Sequence, residues 1–298
     1  MTAVATPAAA SPRHLRAFLR LVTIEHSIFA LPFAFIAALT AMNPDVRWGD
    51  LGLITVAMIA GRTFAMAANR VIDREIDARN PRTARRELVT GVVALRTAYV
   101  GAAVALALFL LAAGLLNGLC LALSPIALLL LVGYPYAKRV TNYPHAVLAL
   151  TQAVAPIGAW IAVTGRWSWQ AVVLGLAVGT WIGGFDLIYA CQDADIDRVI
   201  GVHSTPARWG VRAALVASAA THVVTFALFV LFGALEHFGA WWYAGLAVTA
   251  LAFGYEHSIV RPSDLSRINR AFFTVNGFVG IALFLFAVVD LVSRGLHA

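Results

Sequence analysis

Nine stretches of this chain, at 22–43, 51–72, 92–115, 118–135, 146–164, 170–191, 213–235, 240–258 and 271–292, are apolar for roughly the length that crosses a bilayer. Lipid offers the backbone no hydrogen-bond partners, so a run of about 20 apolar residues spans it as a helix, which satisfies its own N–H and C=O groups. The pattern predicts an all-α protein, a polytopic membrane bundle of about nine transmembrane helices. These runs take up most of the sequence, leaving short loops and a single transmembrane domain over 13–298. Residues 1–12, rich in Ala, Thr, Ser and Pro, have no apolar core and read as a disordered cytoplasmic tail, not a signal peptide. With 61% apolar and 12% charged residues, a soluble globule would be left with very large apolar patches. Cys120 and Cys191 fall inside apolar runs and read as small buried hydrophobes.

The formal net charge of +7 raises the question of nucleic acid, and position answers it. With the N-terminus inside, eighteen Lys and Arg residues fall in the tail and the even-numbered loops, against Arg47, Arg166 and Arg294 on the other side. This bias reports orientation by the positive-inside rule. No nucleic-acid partner is expected; the N-terminus is cytoplasmic and the C-terminus outside. Arg62 belongs to neither side, because it lies within the second apolar run.

Eight of the fifteen acidic residues gather in two stretches: Asp73, Glu75, Asp77 and Glu87 after the second run, and Asp186, Asp193, Asp195 and Asp197 after the sixth. In the first stretch Asn69, Asp73 and Asp77 are spaced by four, so on a helix they share a face, and Arg62 lies seven residues earlier on that same face. An intramembrane guanidinium needs a polar cavity, and the carboxylates in register with it supply one. Asp186, Asp193 and Asp197 repeat the arrangement, and a shift of 120 residues carries Asp73 onto Asp193, Asp77 onto Asp197 and Asn69 onto Tyr189. Both stretches lie at cytoplasmic ends of spans, which lets them meet across one cavity.

Carboxylates so close repel one another unless cations compensate. Carboxylate and amide oxygens suit a hard cation such as Mg²⁺, and no His or Cys cluster competes for zinc. Arg82, Arg198 and Lys138 flank the clusters as partners for phosphate oxygens. The combined expectation is a diphosphate chelated by Mg²⁺. Solvated mixed-charge loops account for Glu75, Glu87, Arg79 and Arg85, but not for two similar aspartate spacings at corresponding helix ends. An ion-coupled transporter would place its acids near the midplane on broken helices. A lipid-alcohol phosphotransferase would set glycines between its acids in one compact motif.

The motifs NRVIDREID at 69–77 and DADID at 193–197, with Arg62, resemble the UbiA superfamily of intramembrane prenyltransferases, particularly its quinone-pathway branch. PRTARREL at 81–88, YPYAKR at 134–139 and IGVHST at 200–205 extend the resemblance over nearly the whole chain. It implies a helical bundle around a central cavity in the cell's inner (plasma) membrane, acting on a polyprenyl diphosphate and an aromatic acceptor. It implies that Asn69, Asp73, Asp77, Asp193 and Asp197 hold Mg²⁺, and that Arg62 and Lys138 touch the diphosphate oxygens or order the carboxylates. Tyr134 would lie near the first isoprene unit. Departures from the hydroxybenzoate pattern, including IEHSIFALPF at 24–33 and His203, look more like enzymes that prenylate a dihydroxynaphthoate, so the ring stays open. Haem, chlorophyll-type and lipid-ether acceptors share the metal chemistry. His26, Tyr189 and His203 are the acceptor-side candidates. Boundary polarity accounts for His222, Glu236, His237, Glu256, His257 and Asp290, and an interfacial belt for Trp160, Trp167, Trp169, Trp181, Trp241 and Trp242.

Overall fold

The computed structural model describes Leu21 and residues 30–297; His26 and the 1–12 tail lie outside the described residues. The long helices are α1 (Leu31–Met42), α2 (Trp48–Ile72), α4 (Leu95–Leu116), α5 (Gly118–Val140), α6 (Pro144–Thr164), α7 (Trp169–Ala190), α10 (Val211–Leu235), α11 (Ala240–Ile259) and α12 (Asn276–Ser293). Among the described residues each of the nine apolar runs contains a long helix, and seven helical segments are long and apolar enough to cross a membrane. The two that fall short do so differently. Within the described residues α1 has only twelve, whereas α11 has 20, about 30 Å, but carries Trp, Tyr, Glu and His near its ends. Short helices α3 (Arg74–Arg79), α8 (Ala194–Ile200) and α9 (Thr205–Trp209) fill the loops beside the aspartate motifs.

Consecutive long helices pack around a ring, and α1 sits inside it against α6, α12 and α2. Its sequence permits the position: LPFAFIAALTAM has no polar stripe, so neighbours can cover it on every side. Phe33, Ala34, Ile36, Ala37 and Ala38 are fully buried there. The other end of the chain closes the ring, since Val46 N–H donates to His297 O at 3.0 Å and Asp45 forms a bridge with His297.

Local chemistry sets the helix ends. Asn117 caps α5 by accepting from Cys120 N–H, and its amide donates to the carbonyls of Ile161 and Ala162, tying α5 to the end of α6. Pro125 cannot bond the carbonyl of Leu121, and Ser124 Oγ donates to it instead at 2.7 Å. Asp290 of α12 accepts from Gly239 N–H and Trp242 N–H, capping α11 from another helix. The packing of α6 on α7 rests on Gly175, Gly179 and Gly183, spaced by four along one face of α7. A Cβ at Gly175 would lie 2.6 Å from Ala153 O, and one at Gly183 3.0 Å from Ala149 Cβ.

Two tryptophans correct the interfacial-belt expectation. Trp181 and Trp242 are fully buried, the first donating to Asn276 Oδ1 at 2.7 Å and the second to Phe229 O at 3.3 Å. A buried indole needs such a partner for its N–H. Trp167, Trp169 and Trp241 are exposed as expected.

Candidate active site

Both aspartate motifs sit on helices broken at the first aspartate. The chain leaves α2 at Asp73 with φ −92° and ψ 1° and resumes as α3; after α7 and a 3-10 turn, Cys191–Asp193, it passes Asp193 with φ −101° and ψ 2° into α8. The shift of 120 residues read in the sequence therefore superposes the same backbone break. Neither aspartate uses its side chain to cap the helix that follows. Both carboxylates are left for other partners.

Those partners are cations. Lys138 Nζ donates to Asp73 Oδ2 at 2.6 Å, and Arg139 reaches Asp73 Oδ1 at 3.3 Å. Arg86 Nη1 donates to both oxygens of Asp77 at 2.6 Å. Arg82 Nε lies 2.9 and 3.1 Å from the two oxygens of Asp193, which also accepts from Asn80 Nδ2 at 3.1 Å. Asp197 accepts from Ser204 Oγ at 2.9 Å, the hydroxyl that also caps α9. Asn69 Nδ2 donates to Asp73 Oδ2 at 3.1 Å. Asp73 is 1% exposed; burial pushes its carboxyl above the ordinary carboxylate range, while Lys138 and Arg139 pull the other way.

Apart from Arg139, these residues line one cavity of about 330 Å³. It brings together Arg62, Asn69, Asp73, Asp77, Arg82, Tyr134, Lys138, Asp193, Asp197 and His203 from the sequence expectations, most of them toward the helix ends with basic loops. Arg62, within α2, has a buried Nε with no hydrogen-bond partner among the described residues. A buried guanidinium donor so placed is complementary to an anion.

Two predicted residues stand apart from the cavity wall. Arg198 donates to Asp195 Oδ1 at 2.8 Å and to the carbonyls of Ala207 and Pro206. Tyr189 packs against Phe272 with ring centroids 4.2 Å apart and planes tilted by 35°, and receives a 3.4 Å bond from Arg82 Nη1. Conversely, sequence reasoning passes over Asn80, Arg86, Ser204, His145 and Gln152, all on the wall. Arg86 lies in the PRTARREL stretch, but nothing in its spacing marks it as the partner of Asp77.

A second cavity of about 470 Å³ runs between α2, α4, α5 and α6 as far as Leu116, Ile161 and Trp167 at the other ends of these helices. Apart from Arg62, Ser124, Tyr134, Thr151 and Gln152 its wall is apolar. The two cavities share Ala30, Arg62, Met66, Tyr134 and Gln152, so an acidic chamber and an apolar one lie in series. Within the polar chamber the four motif aspartates and the Asn69 amide gather oxygen donors, which is the donor chemistry of a hard divalent cation. Such an arrangement suits an amphiphile with an anionic head and an apolar tail.

Residues 30–280 match the UbiA prenyltransferase family. The chain is similar to the 4-hydroxybenzoate octaprenyltransferase of Pseudomonas fluorescens (strain Pf-5), 32% identical over 81% of each chain. It is also similar to that of Thiobacillus denitrificans, 33% identical over 82% of this chain and 83% of the relative. An apo UbiA homolog from Aeropyrum pernix K1 superposes with a TM-score of 0.82 at 36% identity, covering 90% of this chain and 98% of that one. A UbiA homolog from Archaeoglobus fulgidus bound to DMAPP and Mg²⁺ shares the fold, with a TM-score of 0.70 at 19% identity over 93% and 99% of the two chains.

Proposed function

The chain belongs to the UbiA prenyltransferase family, and on that footing we propose that it transfers a polyprenyl group from a prenyl diphosphate to an aromatic, carboxylated quinone precursor, 4-hydroxybenzoate or a dihydroxynaphthoate, in respiratory quinone biosynthesis. The observation that carries this reading is the acidic chamber opening into an apolar one past Arg62 and Tyr134.

Asn69, Asp73, Asp77, Asp193 and Asp197 would hold Mg²⁺, which supplies neutralisation of the charge on the departing diphosphate. Arg62, Lys138 and Arg82 bind the diphosphate oxygens, Arg62 through the donor that now lacks a partner. Lys138, Arg82 and Arg86 pair with the carboxylates when no diphosphate is present, which keeps the cluster from repelling itself apart. Arg198, bonded to the loop carbonyls of α9, holds that loop in place instead. Tyr134, on the wall of both chambers, offers its ring face to the allylic cation. The apolar chamber takes the prenyl tail and keeps water from quenching that cation. With the basic loops inside, the acidic chamber faces the cytoplasm of the inner membrane.

The relatives named as 4-hydroxybenzoate octaprenyltransferases support the benzoate. His203 on the cavity wall, where the hydroxybenzoate pattern favours Lys, supports the naphthoate. Membranes containing the protein, given labelled polyprenyl diphosphate with and without Mg²⁺ and the two acceptors in parallel, test the proposal. A Mg²⁺-dependent prenylated product from one acceptor is expected. No product from either, in protein shown to be folded, overturns it.

A further inference from the structure

His145 and Asp186 line the polar chamber but take no part in the phosphate-binding set. His145 Nδ1 lies 2.7 Å from Asp186 Oδ2. An ionised carboxylate can only accept, so Nδ1 carries the hydrogen, and in the neutral imidazole Nε2 then keeps its lone pair. That Nε2 is buried and has no hydrogen-bond partner among the described residues. Leaving a buried acceptor unpaired is costly, and such an atom calls for an explanation.

The fold builds the pair deliberately. Bare Gly183 lets the first turn of α6 lie on α7, because a Cβ there would come within 3.1 Å of His145 O. One turn farther along α7, Asp186 then meets the imidazole. Ile182, Phe185 and Phe272 line the same chamber, and the last two rings meet edge-to-face with centroids 5.0 Å apart. This wall suits a flat aromatic acceptor better than a phosphate. The four motif carboxylates already hold Lys138, Arg139, Arg86, Arg82 or Ser204. His203, the other imidazole on the wall, is exposed and bonded through Nδ1 to Asn142.

We propose that His145 is the general base that takes the ring proton of the acceptor, with Asp186 as the residue that positions it. This deepens, and rests on, the aromatic prenyl transfer proposed above. When the allylic C–O bond breaks, its electron pair leaves with the diphosphate, and a pair from the ring forms the new C–C bond. The ring is then a cation with both hydrogen and prenyl group on one carbon. That C–H bond breaks, its electrons restore the aromatic sextet, and the proton goes to His145 Nε2. The Asp186 carboxylate stabilises the imidazolium until the proton passes to water as product leaves.

A ring-proton isotope effect tests the assignment. Membranes carrying the wild type, His145→Ala, His145→Gln and Asp186→Asn are given prenyl diphosphate with either protonated or ring-deuterated acceptor, 4-hydroxybenzoate and dihydroxynaphthoate in turn. In the wild type the two isotopic forms should turn over equally, because the proton leaves quickly. Both His145 variants should lose about 100-fold in kcat, the usual contribution of a positioned base, and should now turn over the deuterated ring more slowly. Asp186→Asn should show the same isotope effect with a smaller loss, and the KM for prenyl diphosphate should stay within a few-fold throughout. Asp186→Asn also serves if His145→Ala does not fold. Loss of kcat without an isotope effect, or unchanged kcat, overturns the proposal. A wild type that prenylates neither acceptor overturns the functional reading, and the base assignment with it.

Discussion

Asp73 shows how much one side chain is asked to do. It is 1% exposed, breaks a helix and meets Lys138, Arg139 and Asn69, yet caps nothing. Asp73→Ala and Asp193→Ala should each abolish Mg²⁺-dependent transfer while leaving a folded, membrane-inserted protein, measured as product formation against detergent-extracted monodisperse yield. Retained Mg²⁺-dependent turnover in both would remove the carboxylates from the mechanism. Arg82→Ala should raise the KM for prenyl diphosphate by roughly 10- to 100-fold, the value of a charge-assisted hydrogen bond of about 1.5–3 kcal/mol. The aspartates were legible because a spacing of four puts side chains on one helix face. Arg198 turns away from the cavity wall for the same geometric reason, since one residue past Asp197 is about 100° around the helix. Asn80 and Arg86 reach the site through the turns of the loop after α3, which no periodicity marks. His145 is a single histidine whose partner lies 41 residues away.

At the scale of elements, hydropathy located every long helix but not where the useful part ends. The fourth apolar run stops near 135, whereas α5 continues to Val140 and carries Lys138 and Arg139 to Asp73 on its last turn. Polar helix ends are where this molecule gathers the charged residues of its cavity, and a hydropathy window discards them. Trp181, Glu256 and Asn276 were equally opaque, because their chain of hydrogen bonds joins α7, α11 and α12. The glycine face of α7 makes a sharper prediction. Gly179→Ala would drive a methyl group into the backbone carbonyl of Ala149 and should cost about 1–3 kcal/mol of stability, read as a lowered unfolding midpoint in detergent. Asp290→Ala removes the cap that α12 lends to α11 and should cost about 2 kcal/mol in the same measurement.

For the molecule as a whole, charge and closure govern orientation and assembly. A cysteine at Asp264, in the basic loop after α11, should react with a membrane-impermeant thiol reagent only after right-side-out vesicles are opened; one at Arg166 should react in sealed vesicles. The reverse pattern would invert the topology. Sequence reveals that polarity readily, since it is a count of charges, but not that the first long helix becomes an interior one. Closure of the ring by His297 has a consequence for biogenesis. As the chain leaves the ribosome, α1 enters the bilayer with α2 for company, meets α6 only midway through synthesis, and gains α12 when translation is ending. Its fully apolar surface is what allows it to wait, dissolved in lipid, for neighbours not yet made.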